Sequence, residues 1–284
     1  MTSISVVLPA KNEMAAIGGV ISGIRELYPD AEILVVNDAS SDSTSEVAQT
    51  AGARVISQPY SKGNGAAIKA GAQEAEGDVI VFMDADGQHD PSDISRLLDR
   101  LKEGHDMVVG ARQAGSQASV GRGLANGFYN GLATYMTGHK VEDLTSGFRA
   151  VRARKFRQFL YLLPNGFSYP TTITMAFFRA GYSVAYEPIH AAQRVGHSHI
   201  RLVKDGLRFL LIIFKIGTLY SPLKLFAPVA ALLFTLATIW YGYTYISIGR
   251  FTNMSALLYT GSVMVFLMGL ISEQITALMY KDDG

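Results

Sequence analysis

Residues 78–91, DVIVFMDADGQHDP, run from a buried-strand pattern directly into two carboxylates, and the predicted fold rests mainly on these residues. Asp84 and Asp86 stand two positions apart, so strand alternation or a tight turn can aim both toward one point. In an open α/β sheet, ligands bind at the carboxyl ends of the strands. Two hard oxygen donors there suit Mg²⁺ or Mn²⁺ together with a diphosphate. The competing interpretation is an Asp-rich turn before a helix that opens at Asp90-Pro91.

The first 200 residues alternate strand and helix patterns, which predicts an α/β domain with a mostly parallel sheet and helices on both faces. After Gly110 the alternation becomes weaker. The predicted strands are 4–8, 32–36, 54–57, 79–83 and 107–109, and the predicted helices are 15–27, 43–51, 65–74 and 94–102.

Polar residues follow most of these strands at the point where each one ends. One edge of the predicted sheet thereby gathers Glu13, Asp38, Asp84, Asp86 and Arg112. Each alone is typical of a cap or turn, but their joint placement is what a nucleotide and metal site needs. The loop 62–65 (KGNG) precedes a helix, and its glycines would allow close backbone approach while Lys62 meets a phosphate. That loop has neither the Walker spacing nor a dinucleotide fingerprint.

Composition excludes several classes of function. The net charge of +1 over 284 residues argues against a general nucleic-acid-binding protein. The chain has no cysteine, which excludes disulfides, thiolate zinc sites and a thiol nucleophile. No basic region precedes the first strand, so we expect no cleaved signal peptide.

Two long segments near the C-terminus contain no charged residue and no histidine: 225–249 and 251–272. Each exceeds the roughly 20 helical residues that cross a bilayer core, so we predict a two-helix transmembrane hairpin over 224–280; the alternative is a pair of buried core helices. The preceding stretch 201–223 contains an amphipathic helix at 207–223, predicted to lie on the membrane surface or, alternatively, to pack on the soluble domain. Basic residues concentrate before the first span, which predicts a cytoplasmic domain and C-terminus. They are Arg201, Lys204, Arg208, Lys215 and Lys224, against Arg250 alone between the spans.

Taken together, the motifs match a known pattern. The chain resembles family-two glycosyltransferases with the GT-A fold and, more narrowly, the dolichyl- or polyprenyl-phosphate hexose (mannose) synthases. Order and spacing fit over about the first 200 residues, and the two apolar segments fit the membrane-bound members. The matching pieces are 9–13 (PAKNE), 35–40 (VVNDAS), 62–66 (KGNGA), 84–91 (DADGQHDP), 110–112 (GAR), 146–149 (SGFR) and 194–199 (RVGHSH).

The resemblance implies a role for each motif in a domain spanning 1–200. The nucleotide-sugar would be held by Pro9, Asn12, Glu13 and Asp38, with Lys62 and Ser198 as further cofactor-binding residues. The divalent ion, Mg²⁺ or Mn²⁺, would bind Asp86 and Gln88, with Asp84 beside the ion or the ribose. The acceptor phosphate and the leaving diphosphate would be gathered by Arg112, Ser146, Arg149 and Arg194.

The chain departs from that family pattern at two positions. Asn37 stands before Asp38 where the family often has a second acid. His199 stands where a lysine commonly ends the motif, which replaces a fixed cation by a group that titrates near neutral pH. The pair His197 and His199 also suggests a metal site, but no further ligands cluster around it.

The implied reaction is an inverting transfer of a hexose from a nucleotide-diphospho-sugar to a polyprenyl monophosphate at the cytoplasmic membrane face. GDP-mannose and UDP-glucose are the leading donors. An acceptor phosphate with a second pKa near ~6 is largely dianionic at neutral pH and needs no general base. The alternatives are another lipid or a polysaccharide as acceptor, or a non-catalytic membrane-anchored scaffold. Acceptor length, homo-oligomerisation and the role of Glu273 stay open.

Overall fold

The computed structural model describes residues 3–113, 120–166, 169–190, 217–218 and 220–279, apart from the side chains of 120–126. A seven-stranded sheet has the strand order β3-β2-β1-β4-β6-β5-β7. All neighbouring strands are parallel except β6, which runs antiparallel to both β4 and β5. The α/β class with a mostly parallel sheet is therefore confirmed. The strands are β1 Ile4–Ala10, β2 Glu32–Asn37, β3 Arg54–Ser57, β4 Val79–Phe82, β5 Met107–Arg112, β6 Arg149–Arg152 and β7 Val184–Ile189.

Among the described residues seven helices accompany the sheet, and the first four agree with the sequence prediction to within two residues. A single 3₁₀ turn, Leu160–Leu162, follows the sixth helix. The helices are α1 Met14–Leu27, α2 Thr44–Thr50, α3 Asn64–Glu74, α4 Asp93–Lys102, α5 Val120–Thr137, α6 Ala153–Arg157 and α7 Tyr169–Arg179.

The core lies on both faces of the central strands. Residues 6–8 of β1 and 79–82 of β4 are all buried, as expected for parallel strands covered by helices on both sides. The helices bury one face each. In α4 the buried residues Ile94, Leu97, Leu98 and Leu101 follow the spacing of a single helical face.

Strand β6 determines which loops meet at the carboxyl edge of the sheet. Phe82 of β4 and Val109 of β5 both pair with Arg149, the first residue of β6. Because β6 is antiparallel, its amino end lies at the edge where β4 and β5 have their carboxyl ends. The segment 143–148 therefore reaches the same edge as Asp84 and Arg112.

The C-terminal unit, residues 201–284, contains two long helices. They are α8, Pro222–Ile248, and α9, Asn253–Met279, each of 27 residues, and an 18-residue stretch within each has a mean hydropathy of 1.8 and 1.9, respectively. At ~1.5 Å per residue each is about 40 Å long, enough to cross a bilayer by length and composition. Most of the interfacial helix predicted at 207–223, with Arg208 and Lys215, lies outside the described residues.

The two apolar helices pack through small residues spaced about seven positions apart. This is the period of a left-handed helix pair, and small side chains let the two backbones approach closely. Ser262 Oγ donates to the carbonyl of Ala230 at 2.8 Å. A Cβ added at Gly269 would lie 2.8 Å from Phe226 Cβ, so a larger side chain does not fit there. The buried small residues are Ala230, Ala237 and Thr244 of α8 and Ser255, Ser262, Gly269 and Thr276 of α9, and Pro222 at the start of α8 is buried as well.

Glu273, whose role the sequence left open, makes a hydrogen bond between the two helices of the hairpin. Glu273 Oε2 accepts a hydrogen bond from the backbone N–H of Leu223 at 3.2 Å. Leu223 lies in the first turn of α8, where N–H groups have no intrahelical partner and the helix dipole favours negative charge. Glu273 of α9 therefore caps the amino end of α8.

Candidate active site

Asp38, buried at the end of β2, binds the loop between β3 and α3. Its carboxylate accepts hydrogen bonds from Ser61 Oγ at 2.7 Å, the Lys62 N–H at 2.6 Å and the Gly63 N–H at 3.1 Å. Lys11 Nζ donates in turn to Ser61 Oγ at 2.8 Å. A carboxylate offers about four acceptor positions, so most of the capacity of Asp38 holds this loop. Its predicted contact with a nucleotide base stays a prediction.

The loops after β1 and β2 are joined by side-chain hydrogen bonds. Asn12 Oδ1 accepts from the Ser41 N–H at 2.8 Å, and the Asn12 N–H donates to Ser40 Oγ at 3.0 Å. The Glu13 N–H donates to Thr44 Oγ1 at 2.9 Å. Asn12 has a φ of 57°, in the left-handed region that asparagine tolerates better than most residues. Asn12 and Glu13 thus lie together at the carboxyl edge, as predicted from their position after β1.

Pro9 and Asn37, which come just before these two loops, also have defined positions in the structure. Pro9 lies inside β1, paired with Val36 of β2. Asn37 Oδ1 accepts from the Ser40 N–H at 3.0 Å, which closes a short turn after β2. Asn37 therefore places a neutral amide in this turn, at a position where the family pattern often has a second acidic residue.

The glycine loop before α3 packs against another segment of the same chain, residues 164–166. The Gly65 N–H donates to Gly166 O at 3.2 Å, and the Ala66 N–H donates to Asn165 O at 2.9 Å. A Cβ at Gly63, whose φ is 99°, would lie 2.7 Å from Asn165 O. These N–H groups are the ones that a phosphate would use at a helix amino end. The expectation that the glycines serve phosphate approach is therefore corrected: they admit the segment 164–166.

Lys62, predicted to meet a phosphate, has its ammonium 5.3 Å from the centre of the Tyr60 ring. This is a cation–π contact at the surface, since both residues are exposed. Phosphate binding by Lys62 stays a prediction.

The two carboxylates that follow β4 flank the buried Ala85. The side chain of Asp84 is 36% exposed, and its Oδ2 lies 3.8 Å from Nε2 of the buried His89. Asp86 Oδ1 accepts from the Gln88 N–H at 3.1 Å, and the intervening Gly87 has a φ of 73°. The stretch is thus a tight turn that places Asp84, Asp86 and Gln88 beyond the end of the strand.

These residues fit a divalent cation by donor chemistry. Carboxylate and amide oxygens are the ligands that Mg²⁺ and Mn²⁺ prefer. Within the described ranges no group of three or more His, Asp or Glu side chains is placed to hold a metal. An ion held by Asp84, Asp86 and Gln88 would therefore take its remaining ligands from the diphosphate and water.

Arg112, at the end of β5, is fixed by an acid that sequence reasoning missed. Its Nε donates to Asp143 Oδ2 at 2.8 Å, and its Nη2 donates to Asp143 Oδ1 at 3.0 Å and to Thr145 Oγ1 at 2.7 Å. Asp143 also accepts from the Ser146 N–H at 3.1 Å. The signal that could have found it is an aspartate three positions before a serine, a common turn pattern.

The electrostatics of this pair favour both charged forms. Burial acts to raise the pKa of Asp143, but the hydrogen bonds and charge of Arg112 outweigh it, and the pKa is lowered. Burial likewise opposes the charge of Arg112, yet Asp143, with a smaller contribution from the charge of Asp84, raises its pKa. The side chain of Arg112 as a whole is 29% exposed.

Arg149 was predicted to contact the acceptor phosphate, and that contact stays a prediction. The side chain is fully buried, because Arg149 begins β6 between two other strands. Its Nη1 donates to Pro170 O and to Thr174 Oγ1, each at 3.2 Å, and its Nη2 donates to Ser146 O. Burial lowers the pKa of Arg149. Arg149 therefore positions the turn at 146 rather than facing an open site.

The turn at 146–147 lies directly against Asp84. Tyr169 Oη donates to Gly147 O at 3.0 Å, and the Tyr169 ring lies 5.8 Å from the Arg149 guanidinium. A Cβ at Gly147 would lie 3.2 Å from an Asp84 carboxylate oxygen. Ser146, also predicted in the acceptor region, is 1% exposed, and its hydroxyl has no hydrogen-bond partner among the described residues. Arg194 and Ser198, with His197 and His199, lie outside the described residues.

Comparisons with known proteins agree with this architecture. Residues 5–160 match the family described as glycosyl transferase family 2, and residues 221–278 match the GtrB C-terminal hairpin. A dolichyl-phosphate hexose transferase of Haloferax volcanii is 30% identical over 69% of this chain and 86% of its own length. An undecaprenyl-phosphate 4-deoxy-4-formamido-L-arabinose transferase of Pseudomonas aeruginosa is 28% identical over 98% of this chain and 86% of its own length.

A solved structure shares the fold. Glucosyl-3-phosphoglycerate synthase from Mycobacterium tuberculosis, in complex with Mn²⁺, UDP-glucose and phosphoglyceric acid, superimposes with a TM-score of 0.61. The two sequences are 25% identical, and the match covers 76% of this chain and 79% of that one. The expected GT-A fold is thereby confirmed.

Proposed function

Because the chain belongs to glycosyl transferase family 2 and is a glycosyltransferase, we propose that it transfers a hexose from a nucleotide-diphospho-sugar to a polyprenyl monophosphate. Relatives over most of the chain are named for dolichyl-phosphate and undecaprenyl-phosphate, which supports a lipid phosphate as acceptor. Membership of the family argues against the non-catalytic scaffold. GDP-mannose and UDP-glucose remain the leading donors.

The observation that carries the proposal is the fixed guanidinium of Arg112 beside the turn that bears Asp84 and Asp86. Two hydrogen bonds to Asp143 hold the plane of the guanidinium, and the negative charge of Asp84 contributes to raising the pKa of Arg112. A guanidinium held in one orientation is suited to bind phosphate oxygens at low entropic cost. Arg112 would therefore orient the acceptor phosphate and stabilise negative charge as the diphosphate leaves.

The donor side of the proposed site is the pair of loops that follow β1 and β2. Asn12, Glu13 and Asp38 lie at the same sheet edge, where a nucleotide binds in open α/β folds. When bound at Asp84, Asp86 and Gln88, Mg²⁺ or Mn²⁺ would neutralise charge on the diphosphate and improve it as a leaving group. The Mn²⁺ and UDP-glucose of the mycobacterial structure support a divalent ion with a nucleotide-sugar.

The proposed reaction is a direct displacement with inversion. An oxygen of the acceptor phosphate forms a bond to the anomeric carbon while the bond from that carbon to the diphosphate breaks, and the diphosphate leaves with the electron pair. A phosphate monoester with a second pKa near ~6 is already largely dianionic at neutral pH. The nucleophile therefore has no proton to lose, and the chain needs no dedicated general base.

The apolar helices α8 and α9 support a site that works beside a bilayer. We propose a glycosyltransferase domain at 1–200, a juxtamembrane region at 201–223 and a transmembrane hairpin at 224–280. The excess of Lys and Arg before α8 favours a cytoplasmic domain and C-terminus. The acceptor phosphate would then be glycosylated at the cytoplasmic face.

The test is a transfer assay with the full chain in vesicles. Radiolabelled GDP-mannose and UDP-glucose are offered with Mg²⁺ or Mn²⁺ to vesicles that contain polyprenyl phosphate, diacylglycerol or neither. The proposal expects a lipid product only with polyprenyl phosphate, and that product is cleaved by mild acid. A stable glycolipid formed from diacylglycerol would favour the alternative acceptor class, and no transfer to any lipid would reject a lipid acceptor.

A further inference from the structure

Helix α5, Val120–Thr137, has a buried face and an exposed aromatic face. Tyr129, Ala133 and Met136 are at most 5% exposed. On the other side, Phe128 is 67% exposed and Tyr135 is 58% exposed, two helical turns apart. Gly131 lies between them, and a Cβ added there would meet open space. We define Phe128, Gly131 and Tyr135 as the outer face of α5.

The inner side of α5 holds the segment that carries Asp143. Asn130 Oδ1 accepts from the Leu144 N–H at 3.0 Å, and Asn130 Nδ2 donates to Glu142 O at 2.6 Å. Thr134 Oγ1 accepts from the Val141 N–H at 3.0 Å. These hydrogen bonds connect α5 to the residues before and after Asp143, which is the residue that orients Arg112. Whatever contacts the outer face of α5 is therefore linked through one helix to the acceptor side of the candidate site.

The charge pattern of α5 favours a lipid surface as the contact. Its 18 residues contain no Asp or Glu, and the only charged residue is Arg122. Large apolar side chains on the exposed face of a helix are one feature of helices that lie in the membrane interface, and acidic residues, which anionic lipids would repel, are absent from α5. The same chain carries two helices long and apolar enough to span a bilayer, which supports a lipid surface as the partner of the outer face.

We propose that the outer face of α5 lies in the bilayer interface and sets the depth at which the Arg112–Asp143 pair meets the acceptor phosphate. The proposal rests on the proposed function in one respect, that the acceptor is a phosphate attached to a chain in the bilayer. Phe128 and Tyr135 would enter the interface as amphipathic anchors, and Gly131 would let the helix backbone approach the lipid surface.

Fluorescence quenching tests the contact without any turnover. The only tryptophan, Trp240, is removed by Trp240→Phe, and reporters are placed by Phe128→Trp or Tyr135→Trp in the full chain. Tyr161→Trp is the matched control, since Tyr161 is 66% exposed but lies on the separate 3₁₀ turn. Vesicles contain lipids brominated near the headgroup or unbrominated lipids. Tryptophan at 128 and 135 should lose most of its fluorescence to bromine, and tryptophan at 161 should keep it.

Two outcomes overturn the proposal: no quenching at 128 and 135, or equal quenching at all three positions. A second copy of the chain is the competing occupant of this face. Since the chain has no cysteine, Phe128→Cys introduces a single thiol. Efficient disulfide-linked dimers through position 128, together with absent quenching, would assign the face to self-association.

An activity measurement separates this inference from the proposed function. The double variant Phe128→Asp and Tyr135→Asp should raise KM about tenfold for a long-chain polyprenyl phosphate in vesicles. KM for the nucleotide-sugar and for a short, water-soluble prenyl phosphate should not change. Equal loss with both acceptors would overturn the proposal. Quenching as expected in a protein that does not glycosylate polyprenyl phosphate would keep the membrane contact and reject the proposed acceptor.

Discussion

Arg112 and Asp143 form a two-point ion pair, with Nε to Oδ2 at 2.8 Å and Nη2 to Oδ1 at 3.0 Å, across 31 residues of chain. Asp143 is 5% exposed and also accepts from the turn at 145–146, so one acid fixes both the guanidinium and the start of the segment leading to β6. The orientation of Arg112 therefore depends on a residue outside every motif that identified the family.

Replacing Asp143 by Asn should reduce transfer by about 10²-fold, because the amide cannot accept both guanidinium bonds and a misplaced catalytic group costs about this much. We expect the loss mainly in kcat and in KM for the acceptor, with KM for the nucleotide-sugar little changed. Steady-state kinetics with each substrate varied in turn measures this. Asp99→Asn, which removes a 70%-exposed acid of α4, is the control. Wild-type kinetics for Asp143→Asn would contradict the positioning role.

The same pair makes stability depend on pH in a defined direction. The pKa of Asp143 is lowered from its ordinary value of 3.8, so its contribution is complete above that value and is lost as pH falls through the lower pKa. Removing one partner of a buried pair costs about 3–5 kcal/mol, and the exposed part of Arg112 places the cost toward the lower end. Thermal unfolding should show Asp143→Asn clearly less stable than wild type at pH 7, with the difference narrowing below pH 3.8. If the difference in stability between Asp143→Asn and wild type did not change with pH, the ion pair would not be its cause.

Asp86→Ala should abolish transfer while the protein stays folded, since Asp86 lies in a solvent-accessible turn and not in the core. Binding of Mn²⁺ in the presence of the nucleoside diphosphate, followed by electron paramagnetic resonance, should weaken in parallel. Circular dichroism checks the fold, and Asp99→Asn again serves as the charge-removal control. Turnover or Mn²⁺ affinity like that of the wild type would reject Asp86 as a metal ligand.

Gly65→Ala should destabilise the glycosyltransferase domain, because its Cβ would overlap the carbonyl oxygen of Pro164 and lie 2.9 Å from that of Gly166, closer than van der Waals contact allows. Overpacking of this kind costs about 1–3 kcal/mol. Gly19→Ala in the exposed middle of α1 is the matched control, since a Cβ there meets nothing within 4 Å. That control should gain about 0.5–1 kcal/mol from the better helix propensity of alanine. Denaturant unfolding of both variants measures the contrast, and equal stability would be inconsistent with the close approach of α3 to 164–166.

Gly269→Ala should weaken the packing of α8 against α9, since the new Cβ would lie 2.8 Å from Phe226 Cβ. Gly261→Ala on the same helix is the control, because a Cβ there has no atom within 4 Å. Titration with a denaturing detergent should separate the hairpin helices earlier for Gly269→Ala than for Gly261→Ala. Identical midpoints would show that the small-residue contact does not limit the stability of the hairpin.

Most of the donor half of the fold was predictable. The strands before Gly110 are short apolar runs, and helices such as α4 show a clear 3.6-residue period, so local pattern sufficed. Residues 149–152 and 184–189 were not predicted as strands, because four to six residues of mixed character carry no decisive period. Placement of the motif residues was only partly predictable: Asp84, Asp86 and Arg112 do follow strand ends, whereas Arg149 is buried within the sheet.

Local sequence pattern was enough to predict the α/β class, the polar loops that follow successive strands and the two apolar helices, because each depends on a continuous stretch of chain. Only the tertiary structure decided which partners those residues have. Asp143 reaches Arg112, the segment 164–166 covers the amino end of α3, and Glu273 caps α8. Each contact joins residues 31 to 101 positions apart, and its existence depends on how strands and helices pack, which no local period encodes.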